Sequence, residues 1–127
     1  SPFPAAFDKM NKEIVKWKSE TKIMIDNLVR KNGPIRAKAF PGRAAILIKL
    51  LGLTGDQISA VYEIKGSIKV GHYVPGTKIP ILPEALLYTK EDLNKPILNL
   101  AWHLPSEVRS NLVKNGYTGD VIDIKSI

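Results

Sequence analysis

The order of secondary-structure patterns after residue 34 constrains the fold more than any other feature of this sequence. Residues 35–40 alternate as a strand does, residues 43–51 are apolar enough for a buried helix, and residues 58–64 again favour a strand. The pattern continues with a turn-rich stretch that leads into residues 79–82, a short helix at 83–87, a strand at 97–102, a helix at 105–115 and a strand at 120–124. Strands that alternate with helices predict an α/β fold with a mostly parallel sheet, whose ligands bind beyond the carboxyl ends of the strands.

One long helix is predicted before this sheet. Over residues 5–31 the large side chains recur every three or four positions, which places them on one stripe of a helix. These residues are Phe7, Met10, Ile14, Trp17, Thr21, Met24 and Leu28. The sequence Asn32-Gly33-Pro34 ends the helix, because glycine adopts the left-handed conformation and proline cannot continue the helix. We therefore expect a helix in residues 1–33 and a small Rossmann-like domain in residues 34–127.

The helix has two interpretations. It is either a layer that covers its own domain, or a connector to another domain or to a second copy of the chain. A connector would leave the first half of the stripe, including Phe7 and Met10, exposed or covered in a homodimer. Met24 and Leu28 would pack on the sheet in either case, because the chain turns directly into the first strand.

The amino-acid composition and the net charge exclude several classes of function. The 127 residues suffice for one domain, and the absence of cysteine excludes a disulfide scaffold, a cysteine nucleophile and a cysteine-ligated metal site. The net charge of +7 favours anionic partners. Nucleic acid is not expected, because the basic window 27–55 contains only one aromatic residue, Phe40. The sequence has neither an apolar run of membrane-spanning length nor a signal-like start, so we expect a cytoplasmic protein without a membrane partner.

The first turn between strand and helix is the strongest candidate for ligand binding. Gly42 permits close backbone approach, Arg43 offers a bidentate contact, and the helix N-terminus attracts a phosphate. Pro41 precedes them, and the turn lacks the full G-x-G-x-x-G pattern of dinucleotide-binding proteins. A tight turn with an exposed arginine is the structural alternative.

Further candidates follow the later strands. Glu63 ends the second strand, where an acidic residue often binds a ribose hydroxyl, or it is an ordinary strand-end carboxylate. His72 and Tyr73 lie in a glycine-flanked loop and either face a ligand or are simply exposed. Trp102 ends a strand at the expected ligand edge but is more typical of core or inter-domain packing.

Two further candidate site residues follow Trp102 in the sequence. His103 and Glu107 would hydrogen-bond a ligand or each other. No Ser–His–Asp arrangement or pair of carboxylates can be placed, so we do not expect catalysis by this domain alone.

Three ordered segments resemble the C-methyltransferase C-terminal domain family. They are the turn and helix PGRAAILIKLLGL at 41–53, the run KVGHYVPGTKIPI at 69–81 after Glu63, and LAWHLPSEV at 100–108. The resemblance implies a domain of an S-adenosylmethionine-dependent sugar C-methyltransferase that acts on nucleotide-linked deoxysugars. In such enzymes a cysteine-rich zinc module and a central methyl-donor-binding domain precede this part, so cofactors, catalytic base and zinc belong to the other domains.

The resemblance therefore predicts a domain that helps to form the nucleotide-sugar cleft and contacts the central domain. The expected substrate-binding residues are Pro41, Gly42, Arg43, Glu63, His72, Tyr73, Thr77, Trp102, His103 and Glu107, with no catalytic residue and no metal ligand. The alternative is a free-standing Rossmann-like module that binds a nucleotide or a CoA-like ligand without transferase activity. Whether the chain is an enzyme in its own right is left open by the sequence.

Overall fold

A single parallel sheet organises the described part of the chain. The computed structural model describes residues 2–39, 44–64, 71–89, 92–101 and 104–124. The helices are α1 (Pro2–Asn32), α2 (Ala44–Leu51), a 3₁₀ helix (Glu84–Tyr88) and α3 (Pro105–Lys114). The strands are β1 (Ile35–Lys38), β2 (Ile58–Glu63), β3 (Ile81–Pro83), β4 (Ile97–Asn99) and β5 (Val121–Asp123). They follow the order β3-β2-β1-β4-β5, and each neighbouring pair is parallel.

The first face of the sheet is covered by α1 and α2. Its cluster of buried side chains includes Ile25 of α1, Ile48 of α2 and Ala37 of β1, all at most 1% exposed. Trp17, Met24, Leu28 and Val29 of α1 pack against this cluster. An apolar cluster therefore joins these helices to the sheet on this face.

The second face is covered by the 3₁₀ helix and α3. Leu87 of the 3₁₀ helix and Leu112 of α3 are fully buried there and pack with Ala60, Ile97 and other strand residues. In β2, β3, β4 and β5, neighbouring residues fall into different clusters, as the alternation of side chains in a strand requires. The domain therefore has three layers, with helices on both faces of the sheet.

Arg36 of β1 lies on this second face and is used structurally. Its guanidinium lies 5.5 Å from the centre of the Tyr117 ring and donates to the Tyr117 hydroxyl at 3.2 Å. It also donates to the carbonyl of Asp92, while the Tyr117 hydroxyl donates to the carbonyl of Lys95. These bonds tie the turn before β4 to the beginning of the sheet.

The helix α1 differs between its two halves. Phe7 and Met10 remain 48% and 49% exposed, whereas Ile25 is fully buried. The helix ends at Gly33, whose N–H donates to the carbonyl of Val29 at 2.7 Å and whose φ of 77° suits glycine. The exposure of Phe7 and Met10 is what a connector would show, whereas Trp17, from the same half of the stripe, packs against the core cluster. Met24 and Leu28 pack there as expected under either interpretation.

The sequence-based fold is confirmed: a small parallel α/β sheet follows one long N-terminal helix. The strands are shorter than the alternating patterns, because pairing ends where the chain enters the loops at the sheet edges. The short helix expected at 83–87 is a 3₁₀ helix at Glu84–Tyr88, one residue later, and Pro83 is the last residue of β3.

Candidate functional site

The sheet order reverses direction beside β1, which fixes the place of a binding crevice. The chain continues from β1 to β2 and β3 on one side, and β4 and β5 lie on the other. The connections on the two sides lead to helices on opposite faces, so the carboxyl ends of β1 and β4 open into a crevice. Lys38 and Asn99 are the last residues of these two strands.

Lys38 is a buried cation at the end of β1. Strand alternation directs its side chain to the face of the 3₁₀ helix and α3, and the residue is 4% exposed. Its Nζ lies 3.8 Å from Oε1 of Glu84 and 3.4 Å from the carbonyl of Ala39, to which it donates. Burial lowers the pKa of Lys38 below its ordinary value, and the carboxylates of Glu84 and Glu63 oppose that shift.

Glu84 is positioned by the 3₁₀ helix that it begins. Its Oε1 accepts a hydrogen bond from the Tyr88 hydroxyl at 3.0 Å and from Nδ2 of Asn111 in α3 at 2.8 Å. Burial and the bond to Glu84 raise the pKa of the Tyr88 hydroxyl, so that hydroxyl remains a donor. The carboxylate is thus held by groups from two elements and faces Lys38.

A second polar network holds the end of β4. Asn99 is fully buried, and its Nδ2 donates to Oδ1 of Asp123 at 2.9 Å. Its Oδ1 accepts from the backbone N–H of Ala101 at 2.9 Å. Arg109 of α3 donates to Oδ2 of Asp123 at 2.9 Å. These bonds fix the backbone that leaves β4 and position α3 beside the crevice.

A cavity of about 190 Å³ lies between these elements. Its lining combines polar groups with an apolar wall, as ligand sites do. The lining residues are Lys38, Ile64, Glu84, Ala101, Glu107, Val108 and Asn111. They come from the carboxyl ends of β1, β2 and β4 and from both helices of the second face, so the cavity belongs to the crevice.

The structure places the expected site residues in different parts of the fold. Glu107 lines the cavity and is exposed. Glu63 ends β2 and is 1% exposed, and its carboxylate acts on Lys38. Its position two residues after Val61 directs it to the face of α1 and α2, on the other side of the sheet from the cavity.

The residues expected from the loop before β3 lie elsewhere. His72 and Tyr73 are exposed, and residues 71–74 run antiparallel to the beginning of β3 through bonds such as that from Ile81 N–H to the His72 carbonyl at 2.8 Å. Thr77 closes the turn between them and accepts from the N–H of Ile79 at 3.0 Å. Its neighbours across a surface groove are residues 53–56, which precede β2, so Thr77 lies at the opposite edge of the sheet.

Five expected site residues lie outside the described residues: Pro41, Gly42, Arg43, Trp102 and His103. Their roles stay predictions. The beginning of α2 at Ala44, directly after Arg43, agrees with the expected position of the turn before a helix.

The sequence analysis missed Lys38, Glu84, Asn99 and Asn111. A signal for Lys38 existed, because in a strand covered on both faces the alternation of Ile35, Ala37 and Ala39 forces Arg36 and Lys38 into the second helix layer. The partners of Lys38 had no such signal, since Glu84 and Asn111 reach it only through tertiary packing.

Two further observations concern the described part of the chain only. It contains no group of three or more His, Asp or Glu side chains arranged to hold a metal ion. None of its helices combines the length and the apolar character that crossing a bilayer requires.

The fold is that of a small Rossmann-like α/β domain with a cavity at the carboxyl ends of its strands. The model of the family described as the C-methyltransferase C-terminal domain matches residues 3–120. The chain belongs to this family, and the family description implies a domain of a larger methyltransferase. A search of curated proteins found no match.

Proposed function

We propose that this domain forms one wall of the nucleotide-sugar cleft of an S-adenosylmethionine-dependent C-methyltransferase. The observation that carries the proposal is the crevice beside β1, where the buried Lys38 and its partly buried partner Glu84 meet a cavity at the carboxyl ends of the strands. Membership of the C-methyltransferase C-terminal domain family supports the transferase context. The nucleotide-linked sugar is the substrate that the resemblance of the motifs implies.

The proposal assigns the diphosphate to the turn before α2. Arg43 immediately precedes the first residue of that helix, where unpaired backbone N–H groups and the helix dipole favour an anion. Glu63 lies on the same face of the sheet as α2, and the acidic residue at the end of a second strand suits a ribose hydroxyl. In this arrangement the nucleotide lies on the α2 side of the crevice.

The proposal also divides labour between domains. The central domain of the full-length enzyme holds the methyl donor and the catalytic base, and zinc belongs to the cysteine-rich module. This domain then contributes binding and orientation of the acceptor, which raises the effective concentration of the reacting carbon near the methyl donor. We therefore expect no methyl transfer from labelled S-adenosylmethionine to nucleotide sugars by the chain alone, and turnover by the pure chain would contradict this division.

Calorimetry with uridine diphosphate (UDP) and UDP-glucose tests the binding role. The chain should bind both ligands, and Arg43→Ala should weaken both by about 1.5–3 kcal/mol, the range for a hydrogen bond to a charged group. Arg30→Ala removes an exposed arginine from α1 and is the matched control, which should leave the affinity unchanged. Binding of CoA or NAD in preference to UDP-glucose would favour the free-standing module instead.

A further inference from the structure

The cavity beside Lys38 is too small for a whole nucleotide sugar. Its volume of about 190 Å³ lies below the roughly 300–1,000 Å³ of sites that enclose drug-sized ligands. Ile64, Ala101 and Val108 supply apolar walls, and Lys38, Glu84, Glu107 and Asn111 supply polar groups. A space of this size with both kinds of wall suits one ring of a larger ligand.

The charges of the lining select against an anion. Lys38 contributes one positive charge, whereas Glu84 and Glu107 contribute two negative charges, and the carboxylate of Glu63 also acts on Lys38. A phosphate in this cavity would face the carboxylates of Glu84 and Glu107, which repel it. The diphosphate therefore belongs outside the cavity.

The hydrogen-bonding groups of the lining favour hydroxyls. Lys38 and Asn111 donate, whereas the carboxylates accept, and a hydroxyl group both donates and accepts. The contacts from Lys38, Tyr88 and Asn111 all reach Oε1 of Glu84, so among the described residues the second oxygen is left for a ligand. The side chain of Glu84 is 14% exposed and is held by these three neighbours, so its carboxylate is preorganised to accept from a hydroxyl.

We propose that the cavity lined by Lys38, Glu84 and Asn111 binds an uncharged ring that carries hydroxyl groups. This inference rests on the proposed function and deepens it, since the ring is part of the nucleotide sugar. Two parts of that ligand share the chemistry, the hexose and the ribose. The hexose is favoured because Glu63, the candidate ribose ligand, faces the other side of the sheet.

Calorimetry on two cavity variants and two controls tests the inference. Glu84→Gln removes the acceptor charge, and Asn111→Ala removes an exposed donor without disturbing the core. Glu20→Gln and Asn27→Ala make the same chemical changes at exposed positions of α1. The ligands are UDP-glucose and UDP, and circular dichroism confirms that each variant is folded. If Glu84→Gln does not fold, the affinity of Asn111→Ala for UDP-glucose tests the inference alone.

The inference predicts that Glu84→Gln weakens UDP-glucose binding by about tenfold, the effect of losing a hydrogen bond to a charged group, and that Asn111→Ala weakens it severalfold. The controls should match the parent chain. Unchanged UDP affinity would assign the cavity to the hexose, and an equal loss for UDP would assign it to the ribose. If the parent chain binds UDP-glucose and the folded cavity variants bind it equally well, the inference is overturned and the proposed function stands.

A second measurement separates the two proposals if UDP-glucose does not bind. Methyl glucoside and ribose, each added to the isotope-labelled chain, should shift the amide signals of Ala101 and Asn111 if the cavity takes such a ring. Shifts at these residues without UDP-glucose binding would overturn the nucleotide-sugar role and keep the cavity assignment. No shift with either saccharide and no UDP-glucose binding would overturn both.

Discussion

The two faces of the sheet bury very different side chains. On the face of α1 and α2, apolar residues such as Ile25 and Ile48 fill the space between helix and strand. On the face of the 3₁₀ helix and α3, the same strands bury Lys38 and Asn99 beside an apolar cluster around Leu112. Both faces have an apolar cluster that stabilises the fold. The first face also buries Glu63 at the end of β2, and the second face buries Lys38 and Asn99 at the ends of β1 and β4, two polar side chains that can recognise a ligand.

The buried ion pair on the second face is poor evidence for stabilisation. Desolvation of Lys38 and Glu84 opposes folding, and apolar residues of similar size often replace such a pair without loss of stability. The pair lies at the carboxyl edge of the sheet, where ligands of parallel α/β folds bind. This difference between the faces supports a functional reason for Lys38, and it yields predictions that treat the faces separately.

The largest effect is expected on the apolar face. Ile48→Ala leaves a cavity between α2 and the sheet and should lower the free energy of unfolding by about 2–5 kcal/mol. Ile46→Ala on the same helix is the control, because Ile46 is 66% exposed and its loss should change stability by about 0.5 kcal/mol or less. Urea denaturation measures both, and equal effects would contradict the assigned packing of α2.

Breaking the ion pair should have the next largest effect. Glu84→Leu leaves the ammonium of Lys38 buried without the carboxylate of Glu84 and should destabilise the chain by about 3 kcal/mol. The estimate is at the lower end of the range for such losses because Glu63 still acts on Lys38. The double variant Lys38→Met/Glu84→Leu should recover most of the loss, and purely additive losses would show that the two residues are not coupled.

A smaller effect is expected in the pH dependence of the free energy of unfolding, to which the buried Lys38 of the second face contributes. The pKa of Lys38 is lowered by folding, so between that value and the ordinary 10.5 the unfolded chain binds more protons than the folded chain. The contribution of Lys38 to stability must therefore rise as the pH rises through this window. The stability difference between the parent chain and Lys38→Met, measured by urea denaturation at a series of pH values, should change with pH in this direction.

Ionisation of two tyrosines changes the stability of the chain in the opposite direction at alkaline pH. Burial raises the pKa of Tyr88 and of Tyr117, so the folded chain keeps these protons longer and loses stability above the ordinary value of 10. Both tyrosines are present in the parent chain and in Lys38→Met. Their contributions therefore largely cancel when the free energy of unfolding of the parent chain is compared with that of Lys38→Met. If this difference between the two chains falls as the pH rises, the burial of Lys38 is contradicted.

The smallest effect on monomer stability is expected at the exposed half of α1. Phe7→Ser with Met10→Ser should change the free energy of unfolding by about 0.5 kcal/mol or less, because both side chains are about half exposed. If the stripe binds a second copy, sedimentation of the parent chain should show concentration-dependent association that the double variant lacks. A large loss of monomer stability would instead make the whole helix part of the core.

The sequence predicted the order of elements because local periodicity carries that information. The change from helical spacing before Asn32 to alternation after Pro34 separates α1 from the sheet, and the parallel topology follows from the alternation of strands and helices. The alternation at Arg36 and Lys38 also carried information about burial. The sequence analysis treated Arg36 and Lys38 only as part of the basic window 27–55 and drew no prediction of their burial.

The site was less predictable because its geometry is set between elements. Glu84, Tyr88 and Asn111 come from the 3₁₀ helix and α3, and only packing brings them to Lys38. The motif predicts Thr77 among the ligand residues, and the fold places it at the edge of the sheet opposite the cavity, so its role stays a prediction. Sequence patterns identify the edge of the sheet, and the pairing across elements requires the structure.

Amide shift mapping with UDP-glucose tests the central claim that this domain binds its ligand at the carboxyl edge beside β1. The account predicts concentration-dependent shifts at Lys38, Asn99 and Ala101, at the ends of β1 and β4. The groove formed by residues 53–56 and 76–78 at the opposite edge should remain unchanged. Shifts confined to that groove, with Lys38 and Asn99 unmoved, would contradict the claim.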